Sequence, residues 1–262
     1  ARTVFLLCAP STDPSDIAIT LRSRCRHVYV PTPSPAAVKG VLLSDATLGL
    51  SESQAQWAAD VSAGHIGRAR HLASDEAARN KRATALKLPK LVYEPNALYR
   101  FTSELVAKAA EEAASELEKL DQREREDLES SLGVGAKGKG AAKAQRGASG
   151  RMKELEKEQK NRRTRRTRDS LDLALIDIAG LYRDAMLQAA GAVDDEGMPV
   201  GGHQHPDMAA TSKELARRNS ASALVSCIDA VMECREVLGY NVRPEVALDA
   251  MAGRLQQCCG VA

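Results

Sequence analysis

The chain is poor in aromatic residues. Of 262 residues only 3% are aromatic: one Trp, two Phe and five Tyr. A protein that holds single-stranded nucleic acid by stacking bases on aromatic side chains is therefore not expected. With 44% hydrophobic residues a sizeable core is possible, but it must be aliphatic and Ala-rich, as in packed helices. No apolar run approaches the ~20 residues needed to span a bilayer, and no signal peptide is visible at Ala1 to Ala9. The six cysteines contain no Cys-x-x-Cys pair, so zinc-ribbon spacing is missing. A reduced, cytoplasmic protein is the simple reading. Gly-x-x-x-x-Gly-Lys-Ser/Thr is absent, so nothing cradles a triphosphate by that route. No complete catalytic site is visible. The chain begins without Met, almost inside an apolar run, and is expected to be the C-terminal part of a longer protein.

Two short apolar runs are present near the start, Val4-Phe5-Leu6-Leu7-Cys8 and Val28-Tyr29-Val30. Each suits a strand buried on both faces of a parallel sheet. Pro10, Asp13 and Pro14 break the chain after the first run. Asp16 to Leu21 can then form one or two helical turns that deliver Ser23-Arg24-Cys25 to a sheet edge. A guanidinium is always charged and carries a planar fork of donors that matches phosphate oxygens. Arg24, held at such an edge, can act on a phosphate bound by something else; otherwise it is one more solvated arginine.

Pro31 to Pro35 reads Pro-Thr-Pro-Ser-Pro, a stiff linker. Three short helices are expected after it. The first opens at Pro35 with Val38, Val41 and Leu42 on one face. The second starts at Ser51 with Trp57, Ala58 and Val61 inward. The third follows Gly64-His65-Ile66-Gly67-Arg68-Ala69 and runs to about Ala73.

A long helix is expected from Asn96, with Leu98, Phe101, Leu105, Ala109, Ala113, Leu117 and Leu120 at helical spacing. Gly133 to Gly150 reads as a flexible loop and Arg151 to Arg168 as a charged helix without an apolar stripe. Lys137 to Arg168 holds thirteen Lys/Arg against three Glu, a net of +10; in a chain of net charge +2 the remainder is therefore −8. This basic arm either contacts DNA by releasing counterions or is a solvated insertion. The helix from Asp169 carries the stripe Leu171, Leu175, Ile178, Tyr182, Ala185. His203-Gln204-His205 with Asp207 could ligate a metal, but a Gly-rich loop is a poor cage and no metal site is assigned. Thr211-Ser212-Lys213-Glu214 has the form of a capping box opening a helix that stops at Gly239. A last helix follows Pro244, with Val246, Leu248, Met251 and Leu255.

Three stretches resemble a known family. Phe5-Leu6-Leu7 followed by Thr20-Leu21-Arg22-Ser23-Arg24-Cys25, then Ile178 to Asp184 around Tyr182-Arg183-Asp184, then Asn241-Val242-Arg243-Pro244 through Met251 are similar to clamp-loader AAA+ subunits. The run Ala18 to Tyr29 most resembles the delta-prime subunits of bacterial DNA polymerase III. The resemblance touches both ends and the middle of the chain; the basic insertion lies outside the family pattern. It implies a mainly α chain in three parts: 1–34 as the end of an AAA+ α/β core with parallel strands, 35–74 as a three-helix lid, and 75–262 as a helical collar with a basic flexible insertion at about 133–168.

The resemblance also implies roles. Arg24, with Ser23 and Cys25, matches the arginine finger that reaches ATP on a neighbouring motor subunit. Arg68 matches the sensor-2 arginine, which in a motor subunit touches that subunit's own nucleotide; a structural role is equally open. Where motor subunits place a polar sensor after the first strand, Ala9-Pro10-Ser11 stands here. No cofactor is expected within 1–262, with zinc or nucleotide sites, if any, before Ala1. The implied partners are gamma/tau-like motor subunits, a delta-like subunit, the sliding clamp and primer–template DNA, with possible DNA contact by 137–168 and no membrane. The competing reading is a helical scaffold or nucleic-acid-binding protein acting through the basic arm.

Overall fold

The structure is a computed structural model that describes residues 3–9, 17–132, 141–194, 199–240 and 242–261, without the side chains of 141–148. It is mainly helical, and no strand is formed among the described residues. Val4, Phe5, Leu6 and Val28, Tyr29, Val30 are exposed, extended chain. The two expected strands are therefore not seen as a sheet. A parallel strand needs hydrogen-bonded neighbours and helices on both faces, and the described residues supply neither around these runs. Between them lies α1, Ile19–Arg22, four residues long.

The expected three short helices follow: α2, Pro35–Ser44; α3, Glu52–Val61; and α4, Ile66–Ser74. Their starts are fixed locally. Ser34 accepts from the Ala37 amide with Pro35 in the first turn. Ser51 and Gln54 form a reciprocal capping box. His65 caps α4, its Nδ1 accepting from the Arg68 amide at 3.1 Å. Val38, Leu42, Ala55, Ala58, Ala59 and Ala69 close a small core between them. The Pro-rich linker is seated on this unit: a Cβ on Gly64, whose φ is +82°, would lie 2.4 Å from Thr32 Cγ2 and 2.8 Å from the Pro33 carbonyl oxygen.

The remainder is one helical body. Its elements are α5, Glu76–Ala85; α6, Leu88–Leu91; α7, Pro95–Ser131; α8, Ala141–Ala189; α9, Ala209–Arg218; α10, Ala221–Gly239; and α11, Pro244–Cys258. The α8 stripe Leu171, Leu175, Ile178, Tyr182, Ala185 is wholly buried, packed with Leu98 and Val106 of α7, Leu224 and Val231 of α10, and Leu248, Met251 and Leu255 of α11.

Four local expectations are corrected. The long helix begins at Pro95 with Glu94 as its cap, so Asn96 is not the cap. Residues 141–150 are helical, part of α8, whereas 133–140 lie outside the described residues. The expected flexible insertion is thus helix over 141–168. Thr211 and Ser212 do not open a helix; both are buried inside α9, and the chain breaks at Asn219 before Ser220 caps α10. Finally, Leu120 is exposed, and the inward position of the outer α7 belongs instead to Asp121.

Candidate functional site

Ser23-Arg24-Cys25 lies just after α1 on the exposed N-terminal segment. Ser23 Oγ and Arg24 Nη1 both donate to the Thr20 carbonyl, at 3.2 and 2.7 Å. The Arg24 amide donates to Leu21 O and the Cys25 amide to Arg22 O. These bonds wind the triplet into a tight turn and leave the guanidinium on the surface, away from any core cluster.

Arg68 lies elsewhere, with different partners. It sits in the first turn of α4 and forms an ion pair with Asp177 of α8, tying the three-helix unit to the helical body. Arg82 of α5 joins the same cluster. Its Nη1 and Nη2 grip both oxygens of Asp207, at 2.6 and 2.8 Å, and Nη2 also donates to His205 Nδ1 at 2.8 Å. Its Nε is 3.8 Å from Asp177, and its guanidinium lies 5.5 Å from the centre of the Trp57 ring. Trp57 is therefore only partly packed into the three-helix unit; its ring also carries Arg82.

Burial sets the electrostatics. Desolvation pushes the Asp177 carboxyl up, with the charges of Arg68 and Arg82 pulling against it. Burial pushes His205 down to about 3, and the Arg82 charge adds to that. His205 is thus neutral; because a guanidinium can only donate, Nδ1 is the accepting nitrogen and Nε2 carries the proton. At Asp207, desolvation is outweighed by the hydrogen bonds and charge of Arg82, which hold the carboxylate below its usual range. Two cations meet two anions here: Arg68, Arg82 and Asp177 are almost closed off from water, while the Asp207 side chain is 36% exposed. That is the arrangement in which buried charges are tolerated.

The loop carrying His203 and His205 is pinned onto α8 at Tyr182-Arg183-Asp184. Asp184 is fully buried and accepts from the Gln204 and His205 amides, at 3.1 and 2.9 Å, and from Arg183 Nη1 at 2.9 Å. His203 Nδ1 faces it at 3.6 Å. Gly180 allows this approach: a Cβ there would lie 2.6 Å from His205 Nε2. Both histidines are therefore engaged in packing the loop. Among the described residues no group of three or more His, Cys, Asp or Glu is placed to hold a metal.

A half-open groove of about 110 Å³ runs beside the Arg68–Asp177 pair, floored by Leu72, Leu105, Ala109 and Leu171. Its rim cations face rim carboxylates: Lys81 lies 2.9 Å from Glu112, and Arg166 lies 2.6 Å from Glu116. Lys108 also lines the groove, so its five Lys/Arg outnumber its three Asp/Glu.

Three arginines of the basic helix are likewise paired with carboxylates of α7. Arg162 and Arg163 converge on Asp121, at 2.8 and 2.6 Å, and Arg162 also pairs with Glu124. Gln159 Nε2 donates to the Asp121 carbonyl at 2.8 Å. The outer parts of α7 and α8 form a hairpin joined by charge where apolar residues run out.

Sequence reasoning singled out Arg68 and Asp207 but missed Asp177 and Arg82. Signals existed. Asp177 interrupts the apolar run beside Leu175 and Ile178, and Arg82 falls at i+4 from Ala78 on the inner face of a polar helix. Compared with known proteins, the chain matches no family model, no curated protein and no solved structure.

Proposed function

We propose that this chain is a delta-prime-like stator subunit of a bacterial sliding-clamp loader. The observation that carries the reading is the order of parts: an exposed Ser23-Arg24-Cys25 turn, a linker seated on a unit of three short helices, and then a helical body. That is the order the resemblance implies for the end of an AAA+ core, a lid and a collar. In this reading Val4 to Cys8 and Val28 to Val30 belong to the α/β core, and Arg24 reaches toward ATP held by the neighbouring motor subunit. Phosphate chemistry favours an exposed guanidinium with most of its fork still to be used.

Arg68 then serves the lid–collar contact. The chain's task is to hold a ring of subunits in register, with gamma/tau-like motors and a delta-like subunit beside it. ATP is on the neighbour, the clamp and primer–template DNA are met through the complex, and the setting is the bacterial cytoplasm at the replisome. Polymerase activity belongs to the holoenzyme as a whole. A free nucleic-acid-binding arm is the weaker reading, because Arg162, Arg163 and Arg166 are already matched by carboxylates of α7.

Reconstitution tests the assignment. The full-length protein, mixed with motor and delta-like subunits, is expected to co-elute as one assembly that loads the clamp onto primed DNA. Equal loading by an assembly lacking it would refute the assignment.

A further inference from the structure

Six cysteines are free, and three of them meet at one place. Cys227 is buried on the inner face of α10. Cys258 ends α11, and Cys259 caps it, half exposed. The Sγ atoms of Cys227 and Cys259 are 3.8 Å apart. Closing to an S–S bond of ~2.05 Å needs less than 2 Å of movement, and Cys259 sits at a helix end, where the chain is easily adjusted. Cys234, also on α10, is buried without such a neighbour.

We propose that Cys227 and Cys259 are a peroxide-sensitive dithiol, in which Cys259 reacts with a hydroperoxide and Cys227 resolves the product to an intramolecular disulfide.

The surroundings of Cys259 favour its thiolate. A helix C-terminus is the wrong end for an anion, so the help must come from side chains. Once Cys259 is ionised, the Cys227 thiol 3.8 Å away can only donate to it, and this hydrogen bond, with that of the Tyr93 hydroxyl, holds the Cys259 thiol below its usual range despite burial. Tyr93 is oriented for this: its oxygen accepts from Asn219 Nδ2 at 2.7 Å, which turns its own proton away from Asn219. The Arg218 guanidinium lies over the Tyr93 ring, 4.7 Å from its centre, and packs that side chain in place. The hydrogen bond with Cys259, then burial and the Cys259 charge, push Cys227 the other way, so it remains a thiol. A low-pKa, accessible thiol beside a resolving one is the arrangement that redox-responsive cysteines share.

The steps balance. The Cys259 thiolate attacks one peroxide oxygen; the O–O bond breaks, giving Cys259 sulfenic acid and hydroxide, which takes the proton released when Cys259 ionised and becomes water. The Cys227 sulfur then attacks the sulfenic sulfur, the S–O bond breaks, and the hydroxyl leaves with the Cys227 proton as a second water. Two thiols are oxidised and one hydroperoxide is reduced. The product ties the end of α11 to α10.

The test uses the full chain and hydrogen peroxide. After stoichiometric oxidation, free thiols are alkylated under denaturing conditions, and the digest is mapped by mass spectrometry without reductant. The expected product is a Cys227–Cys259 cross-linked peptide pair, lighter by two hydrogens and restored by dithiothreitol. Cys258→Ser is expected to keep the cross-link. Cys227→Ala, which preserves a small apolar group in the core, is expected to lose it and to leave Cys259 as a sulfenic acid captured by dimedone. The proposal is overturned if peroxide modifies only exposed Cys8 and Cys25, or if Cys258 proves to be the linked residue. Dimedone labelling of Cys227 in Cys259→Ser, at the rate seen for Cys259 in Cys227→Ala, would overturn the assigned order of attack.

Discussion

Arg68 and Asp177, 109 positions apart, form an ion pair whose side chains are 9% and 3% exposed. The pair joins α4 to α8, beside the apolar contact of Val61 and Leu72 with Ala78 of α5, and ties the three-helix unit to the helical body. Its position gives the sensor-2-like arginine a concrete alternative to nucleotide binding. An arginine committed to a buried carboxylate cannot also present its fork to a phosphate without breaking that pair.

Removing the arginine should therefore act on stability. Arg68→Ala strands Asp177, with Arg82 Nε still 3.8 Å away, so the loss should fall near the low end of the range for a broken buried pair, about 3 kcal/mol. Chemical denaturation measures it. Arg68→Met with Asp177→Leu should recover much of the loss, since apolar replacement of a whole buried pair is often neutral. A nucleotide-binding arginine would behave otherwise: stability would hold, and ATP affinity of the assembly would fall.

His205 gives a pH dependence of known sign. Its folded value, about 3, is below the ordinary 6.5. Between these values the unfolded chain binds more protons, so stability is full above about pH 6.5 and declines as pH falls, by up to ~1.4 kcal/mol per unit. The groups facing it temper this. Asp207, lowered, loses stabilisation only below its ordinary value near 3.8. Asp177, raised, works the opposite way, its contribution growing as pH falls. Melting curves from pH 7 to pH 4 should show the decline, and His205→Gln, which keeps an acceptor for Arg82, should flatten it. Equal slopes in the two proteins would remove His205 from the account.

Gly180 makes the close approach of α8 and the histidine loop possible. In Gly180→Ala the new Cβ meets His205 Nε2 at 2.6 Å and the Gln204 side chain at 2.8 Å. Gln204 can swing away, but His205 is held by Arg82 and by Asp184. The higher helix propensity of Ala is therefore outweighed, and a net loss of ~1–3 kcal/mol is expected. A stabilised Gly180→Ala would mean that the loop moves freely.

Asp121 organises the outer hairpin. Asp121→Ala leaves Arg162 and Arg163, each about a third exposed, able to turn to water. The global loss should stay near 1 kcal/mol. Hydrogen exchange should nevertheless quicken in the outer parts of α7 and α8, while the segments around Leu98 and Tyr182 remain protected. Uniform quickening throughout the body would contradict a hairpin held locally by charge.

The helical body was readable because its apolar positions repeat at helical spacing; the α8 stripe from Leu171 to Ala185 is fully buried. The three short helices were readable from Pro35, Ser51 and the Gly64 turn. The junction between the three-helix unit and the helical body was not. Periodicity marks buried apolar residues, and here the decisive groups are charges at inward positions. The ties from Arg82 to Asp207 and from Arg68 to Asp177 link residues more than a hundred positions apart, a separation that local pattern does not encode. The histidine loop misled for a related reason: its glycines and polar residues resemble solvated chain, whereas Asp184 draws its amides into the interior. The apolar runs beside Arg24 have strand composition, but composition does not supply the neighbouring strands a sheet requires.

The central claim rests on Arg24, and the clamp-stimulated ATPase rate of an assembly carrying Arg24→Ala tests it most directly. Among the described residues the Arg24 side chain bonds only to the Thr20 carbonyl, four positions away, so the variant should keep its helicity, melting temperature and place in the assembly. An arginine finger contributes about three to five orders of magnitude in comparable phosphoryl transfers. Stimulated hydrolysis at the neighbouring site should therefore collapse while ATP binding changes little, because the finger acts mainly on transition-state charge. Arg24→Lys should rescue poorly, since a point charge does not reproduce the planar fork, and Arg22→Ala and Arg26→Ala should have smaller effects. Wild-type ATPase and clamp loading by a fully assembled Arg24→Ala complex would contradict the account.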